Sequence, residues 1–319
     1  MRFTVPEKEL MFPGHVACPG CGGALAMRMV LKALGEKTMV VLPACCWTII
    51  DGPFPMHSLQ VPVLHTAFET AAIAASGVKA GLDIQGKNDV TVMAWAGDGG
   101  TLDIGIQALS GAAERNDDII YTCYDNEAYM NTGIQRSSAT PKGAWTTTTP
   151  EKTPKSEPKK NIMEIMIAHR IPYCATATLS YPEDLINKFR KAQSIKGTKF
   201  IHIYAPCPTG WKMAPDLMIK ICRLAVETNI FPIYECENGI KYTINIKPKN
   251  QMPVIDYLKL QGRFSHLTQK EIEQIQKSAD FEWELLQYRA SQDFTKTKTY
   301  NHKLKNNQKL IKCITKCND

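Results

Sequence analysis

The sequence has no run of apolar residues long enough to cross a membrane as a helix, which takes roughly 18 in succession. Its opening residues, Met1-Arg-Phe-Thr-Val-Pro-Glu-Lys8, contain no secretory apolar stretch either. A cytoplasmic protein without membrane contact is expected. Excess charge is also missing from most of the chain. Residues 295–319 carry seven lysines and one aspartate, +6 of the net +7, which leaves +1 for residues 1–294. The basic character therefore belongs to the tail and does not argue for nucleic acid binding. Residues 1–294 are expected to form one α/β domain with a C-terminal extension, and residues 295–319 a lysine-rich, disordered tail.

Cysteine is plentiful, with 11 in the chain. Without an export signal these are not expected to form a disulfide framework. Metal or cluster ligation is the leading use for those in a motif, and core burial for the rest, such as Cys123 and Cys222. Cys18-Pro-Gly-Cys21 is a C-x-x-C knuckle that opens a helix. A zinc knuckle would need two further ligands; an iron–sulfur site would take four thiolates. The next thiols are Cys45 and Cys46, at the end of a predicted strand. Another, Cys207, lies in Ala205-Pro-Cys-Pro-Thr-Gly-Trp211, just past a second predicted strand. Four thiols delivered this way fit a cluster beside a cofactor better than a self-contained zinc ribbon. Cys313 and Cys317, in the tail, are read as incidental.

The stretch that organises the rest is Trp95-Ala-Gly-Asp-Gly-Gly-Thr101, continued at Tyr124-Asp-Asn-Glu-Ala-Tyr-Met-Asn-Thr-Gly133. A strand predicted over 90–96 ends at Gly97-Asp98-Gly99, and one over 119–124 ends at Asp125-Asn126. Asp98 and Asn126 are 28 positions apart, one βαβ step, so both can sit at the same edge of a parallel sheet. A carboxylate and an amide suit Mg²⁺, which takes oxygen ligands and often keeps phosphate oxygens among them. Gly99, Gly100 and Thr101 open the next helix, expected over 102–115, whose N-terminus would face a diphosphate.

The remaining pattern alternates strand and helix, predicting a mostly parallel sheet with helices on both faces. A helix runs from Ala24 to a stop at Gly35, followed by a strand over 38–43. Val63 is read as the start of a helix reaching about Leu82. Residues 137–160 lose periodicity, the first part lying over the cofactor and the rest on the surface. Helices are expected over 161–168, 181–194 (opened by a Ser180–Glu183 capping box) and 216–228, with a last one from a Thr268–Glu271 box to about Ala290. Strands are expected over 171–177, 199–204, 230–235 and 241–246.

Gly-Asp-Gly with Asn one βαβ step later resembles the thiamine-diphosphate motif. Three further segments, Cys-Pro-Gly-Cys-Gly-Gly, Cys-Cys-Trp-Thr-Ile-Ile-Asp-Gly-Pro and Ala-Pro-Cys-Pro-Thr-Gly-Trp, narrow the likeness. With Asp-Asn-Glu-Ala-Tyr-Met-Asn-Thr-Gly, they resemble the β subunit of the 2-oxoacid:ferredoxin oxidoreductases, most closely the pyruvate synthase branch, from about Phe12 to Gln261. The resemblance implies a thiamine-diphosphate-binding fold and a [4Fe–4S] cluster on Cys18, Cys21, Cys46 and Cys207, with Cys45 as the competitor of Cys46. It implies Mg²⁺ on Asp98, Asn126 and the carbonyl of Ala128, phosphate near Thr132, and Asn131 and His65 beside the reacting groups.

The implied activity is reversible oxidative decarboxylation of a 2-oxoacid to acyl-coenzyme A and CO₂, with electrons passed to ferredoxin. The implied partners are an α subunit completing the thiamine site, a γ subunit and a ferredoxin-like δ subunit. Two other readings compete. A non-redox thiamine lyase or carboligase would keep Asp98 and Asn126 but have no use for four thiols. A non-enzymatic metal-binding scaffold would put zinc on Cys18 and Cys21.

Overall fold

The computed structural model describes residues 5–292; the lysine tail, with Cys313 and Cys317, lies outside them. Among these described residues eight strands form one sheet: β1 (Thr38–Pro43), β2 (Val63–Thr66), β3 (Thr91–Gly97), β4 (Ile120–Asp125), β5 (Tyr173–Thr178), β6 (Lys199–Tyr204), β7 (Ile233–Glu237) and β8 (Lys241–Ile246). Their order is β2-β1-β3-β4-β6-β5-β7-β8. The first six run parallel, and β7 and β8 are antiparallel additions at one edge. The mostly parallel α/β sheet is thus as expected.

Among the described residues ten α-helices flank the sheet: α1 (Gly22–Leu34), α2 (Cys46–Asp51), α3 (Ala71–Ile84), α4 (Ile106–Arg115), α5 (Ile162–Ala168), α6 (Pro182–Ser194), α7 (Pro208–Trp211), α8 (Met218–Glu227), α9 (Val254–Leu258) and α10 (Gln269–Ser291). Strand side chains alternate between faces, and the sheet separates two apolar cores. Val40, Leu42, Met93 and Trp95 join α1, α6 and α8 on one side. Val41, Val92, Ala94 and Ala96 join α3, α4 and α5 on the other. The central strands are buried on both faces, as parallel strands between helical layers must be.

Several elements differ from the sequence expectation. Val63–Thr66 is an edge strand, β2, and the helix starts only at Ala71. A four-residue apolar-polar run carries no period, and pairing with β1 decides it. Cys46 opens a short helix, α2. The helix after Asp98 begins as a π-type turn over Gly99–Asp103 and becomes α-helical at Ile106. The Ser180 capping box does not form; Tyr181 is the cap and Pro182 the first helical residue. The Thr268–Glu271 box does form, with Glu271 accepting from the Thr268 amide at 2.8 Å.

Candidate functional site

Parallel sheets place ligands outside the carboxyl ends of their strands. Asp98 follows β3, Asp125 ends β4 with Asn126 next to it, and Cys207 lies just after β6. Asn126 side-chain oxygen lies 3.0 Å from the Ala128 carbonyl oxygen and 3.0 Å from Asp98 Oδ1. Three oxygens that close, with no proton among them, are held by a cation or by turning the amide so that its nitrogen donates to both. Octahedral ligands at about 2.1 Å from Mg²⁺ stand about 3.0 Å from one another, so the spacing fits the ion. Asp98 is buried, and burial followed by Asp125 pushes its carboxyl well up; a hydrogen bond from Ser137, at 2.5 Å, opposes this.

The loop that carries Asn126 is clamped at each peptide. The Asn126 carbonyl accepts from Trp211 Nε1 at 2.7 Å. The Glu127 carbonyl accepts from Thr140 Oγ1 at 2.7 Å, and its amide donates to Asp125 Oδ1 at 2.9 Å. Glu127 itself takes a left-handed φ of 66°, unusual for a buried non-glycine residue. Two cations hold its side chain: Lys159 at 2.7 Å and Arg263 at 2.6 Å. Lys159 also meets Asp125 at 2.5 Å, and His202 Nε2 meets the same carboxylate at 2.7 Å. Burial alone would raise Asp125, but Lys159 and His202 overcome it and hold the group well below the usual carboxylate range. None of Trp211, Lys159, His202 and Arg263 was singled out from the sequence. The lysine sits in a stretch that looks solvated, and the arginine comes from beyond the last parallel strand.

Gly99 is pressed so closely by Tyr129 that a Cβ there would lie 2.2 Å from the ring. Gly100 and Thr101 are buried too, and the Thr101 hydroxyl donates to the Gly97 carbonyl at 2.8 Å. The Thr101 side chain is therefore engaged within the turn. Thr132 is exposed and donates to Gln135 Oε1 at 2.6 Å; Asn131 is exposed. His65, at the end of β2, faces the buried carboxylate Asp51 at 3.2 Å.

The thiols gather from three places. Cys21 precedes α1, Cys46 begins α2 and Cys207 caps α7, its Sγ accepting from the Gly210 amide at 3.4 Å. The Cys21 and Cys207 turns are joined by a hydrogen bond from Gly22 N to Pro206 O, 3.0 Å, and a Cβ on Gly22 would strike Ala205 at 2.8 Å. Burial pushes the Cys207 thiol up to about 11, opposed by the Gly210 amide and aided by Cys21 and Cys18. Cys46 is driven higher still by burial, then by Cys45, Cys207, Cys21 and Asp98. Cys45 is raised by burial, and its hydrogen bond with Tyr124 opposes the rise. Cys46 thus feels the charge of the other thiols and of Asp98, while Cys45 shares a hydrogen bond with Tyr124. Among the described residues no three His, Cys, Asp or Glu side chains close on a metal position.

A cavity of about 650 Å³ touches Glu127, Lys159 and His202 from behind the loop and reaches Arg289 of α10. It does not include Asp98, Asn126 or the thiols, so this hollow and the candidate chemistry are separate.

Residues 49–203 match the thiamine pyrophosphate enzyme, C-terminal TPP binding domain. Ketoisovalerate oxidoreductase subunit VorB of Pyrococcus horikoshii is 54% identical over 295 residues, covering 89% of this chain and 94% of that one. Pyruvate synthase subunit PorB of Methanocaldococcus jannaschii is 50% identical over 291 residues, covering 88% and 97%. Among solved structures, a 2-oxoglutarate:ferredoxin oxidoreductase from Magnetococcus marinus superposes with a TM-score of 0.56 at 20% identity, over 70% of this chain and 81% of that one, a likeness of fold.

Proposed function

Because this chain belongs to the β subunits of the 2-oxoacid:ferredoxin oxidoreductases, we propose that Asp98, Asn126 and the Ala128 carbonyl hold Mg²⁺ and, through it, thiamine diphosphate. The observation that carries this is the Asn126 amide oxygen lying 3.0 Å from both Asp98 Oδ1 and the Ala128 carbonyl oxygen at the carboxyl edge of the sheet. The thiamine-enzyme family match over residues 49–203 supports it, since those residues include all three. Bound there, thiamine diphosphate supplies the electron sink for cleaving the bond between a 2-oxoacid's carboxyl and carbonyl carbons.

The protein's own contribution is to position and to neutralise. Asp98 presents one carboxylate oxygen to the cation position while Ser137 occupies the other. The clamped loop fixes Asn126 and Ala128. Cys18, Cys21, Cys46 and Cys207 would hold a [4Fe–4S] cluster, a one-electron acceptor. Cys21, Cys46 and Cys207, which burial keeps from ionising, are donors suited to iron, whose charge would favour their thiolate form. Cys46, Asp98 and Cys207 follow β1, β3 and β6 at the same carboxyl edge of the sheet, which supports electron exchange between the two cofactors.

The chain works as a subunit, with partners. We assign to them, as the α, γ and ferredoxin-like δ chains, the rest of the thiamine site and the onward path to ferredoxin. Coenzyme A takes the acyl group. The reduced state expected of so many thiols puts the complex in the cytoplasm; among the described residues no helix is long and apolar enough to cross a membrane. The named relatives act on two short aliphatic 2-oxoacids, and both are substrate candidates.

The test is anaerobic purification of the assembled complex. Thiamine diphosphate, iron and acid-labile sulfide are measured, with viologen reduction on pyruvate and on ketoisovalerate. Thiamine diphosphate with about four iron and four sulfide per β chain, and coenzyme A-dependent reduction, are expected. Thiamine diphosphate with no cluster on this chain would leave the non-redox lyase. Zinc with neither would leave the scaffold.

A further inference from the structure

Trp211 touches both halves of the proposed centre. Its amide donates to the Cys207 carbonyl at 2.9 Å, closing the turn that carries the thiol. Its indole N–H donates to the Asn126 carbonyl at 2.7 Å, inside the loop that carries the amide and the Ala128 carbonyl. The ring is fully buried, and the Arg263 guanidinium lies 3.8 Å from its centroid. Arg263 in turn binds Glu127, the next residue after Asn126. Glu127 sits at a positive φ, which fixes where the chain turns between Asn126 and Ala128.

We infer that Trp211 is a positioning residue that sets the cation-binding loop in register with the Cys207 turn, with Arg263 stacked behind it to hold both ends. The inference rests on the reading of Asp98, Asn126 and Ala128 as the cation site. Asn126 and Ala128 belong to a loop that no regular element supports, since β4 ends at Asp125 and the next helix begins at Ile162. A buried carbonyl that loses its donor must find another or move. Either response shifts Asn126 relative to Asp98, which belongs to a different strand. The neutral indole adds no net charge, so its removal tests geometry without altering the field at the cation. Lys159, which also grips this loop, could not separate the two effects.

The experiment uses the assembled complex, saturated with thiamine diphosphate, stripped of Mg²⁺ and titrated with Mn²⁺ followed by its electron paramagnetic resonance signal. Trp211→Phe keeps a ring for Arg263 and removes the N–H. Mn²⁺ affinity is expected to fall by about tenfold, in line with one lost hydrogen bond to a buried carbonyl, and the bound-Mn²⁺ spectrum to broaden. Iron and sulfide per chain stay at the wild-type value. Replacing Trp211 by its benzothiophene isostere removes the same N–H at nearly constant volume and gives the same result if the phenylalanine variant fails to fold. A merely structural tryptophan would lower the melting temperature and leave Mn²⁺ affinity and spectrum unchanged; that outcome overturns the inference while the proposed function stands. If wild type itself binds no Mn²⁺, the cation site falls and the inference falls with it.

Discussion

The Ser137 hydroxyl donates to Asp98 Oδ2 at 2.5 Å, joining two residues 39 positions apart. Ser137 belongs to the irregular segment over 137–160, and Asp98 follows strand β3. The contact is one of a series. Ser138 binds Asp103, Thr140 binds the Glu127 carbonyl, and Lys159 binds Asp125 and Glu127. Part of a stretch without periodicity is therefore folded around the strand ends, with Ser137, Ser138, Thr140 and Lys159 turned toward them. Ser137→Ala removes the one neighbouring side chain that lowers the Asp98 carboxyl by hydrogen bonding. The variant complex is expected to need about 10–100-fold more Mg²⁺ for half-maximal activity, the usual range when a partner behind a metal ligand is removed. Its iron content should match wild type. An unchanged Mg²⁺ requirement would mean that Asp98 is oriented by the sheet alone.

Much of this arrangement could be read from sequence wherever one period dominates. The strand over 38–43 and the helix ending at Gly35 emerge as read, because a continuous apolar run and a positive-φ glycine (80°) agree with the tertiary packing. Asp98 and Asn126 meet because one βαβ step fixes their separation. Val63–Thr66 was misassigned because four residues do not distinguish a strand from a helix start, and only the neighbouring β1 does. Lys159 and Arg263 were invisible for another reason. A lysine in a Thr-Pro-Lys stretch looks solvated, and nothing local reveals that two carboxylates 32 and 34 positions earlier need a cation. Trp211 gave no signal beyond its place four residues after Cys207.

The neighbouring thiols Cys45 and Cys46 have opposite surroundings. Cys45 caps α2, receives the Thr48 amide and has Tyr124 beside it. Cys46 feels the charge of Cys45, Cys207 and Cys21. Cys46→Ser is expected to lose about four iron per β chain, the full content of a four-thiolate cluster. Cys45→Ser keeps it, because a hydroxyl can take over the cap. Iron retained in Cys46→Ser and lost in Cys45→Ser would reverse the assignment.

Glu127 and Arg263 form an ion pair with both side chains 2% exposed. Removing Arg263 leaves Glu127 with Lys159 alone, a cost toward the lower end of the about 3–5 kcal/mol typical of a broken buried pair. Arg263→Met is therefore expected to lower stability by that amount in urea titrations of the complex. Adding Glu127→Gln should recover a substantial part. If the double variant is no more stable than the single one, the loss comes from the arginine stack on Trp211 and not from the stranded carboxylate.

Asp51 and His65 permit a test of the remaining candidate for chemistry. Asp51 is 1% exposed, and its Oδ1 accepts from the amides of Ser58 at 3.2 Å and Leu59 at 3.1 Å. Its Oδ2 faces His65 Nε2 at 3.2 Å. A carboxylate held so firmly fixes the ring's orientation and favours a proton on Nε2, which leaves Nδ1 as the acceptor. The ring lies at the carboxyl end of β2 with its side chain 40% exposed, so it is open to a substrate or a partner chain. A histidine that moves a proton in the reaction contributes about 10²–10⁴ to the rate. His65→Gln is accordingly expected to lower kcat by about that factor, with thiamine diphosphate and iron contents unchanged. A histidine serving only to tie β2 to the end of α2 would behave differently. Its replacement would lower the melting temperature of the complex and leave kcat within a few-fold of wild type, and His65 would then drop out of the catalytic set.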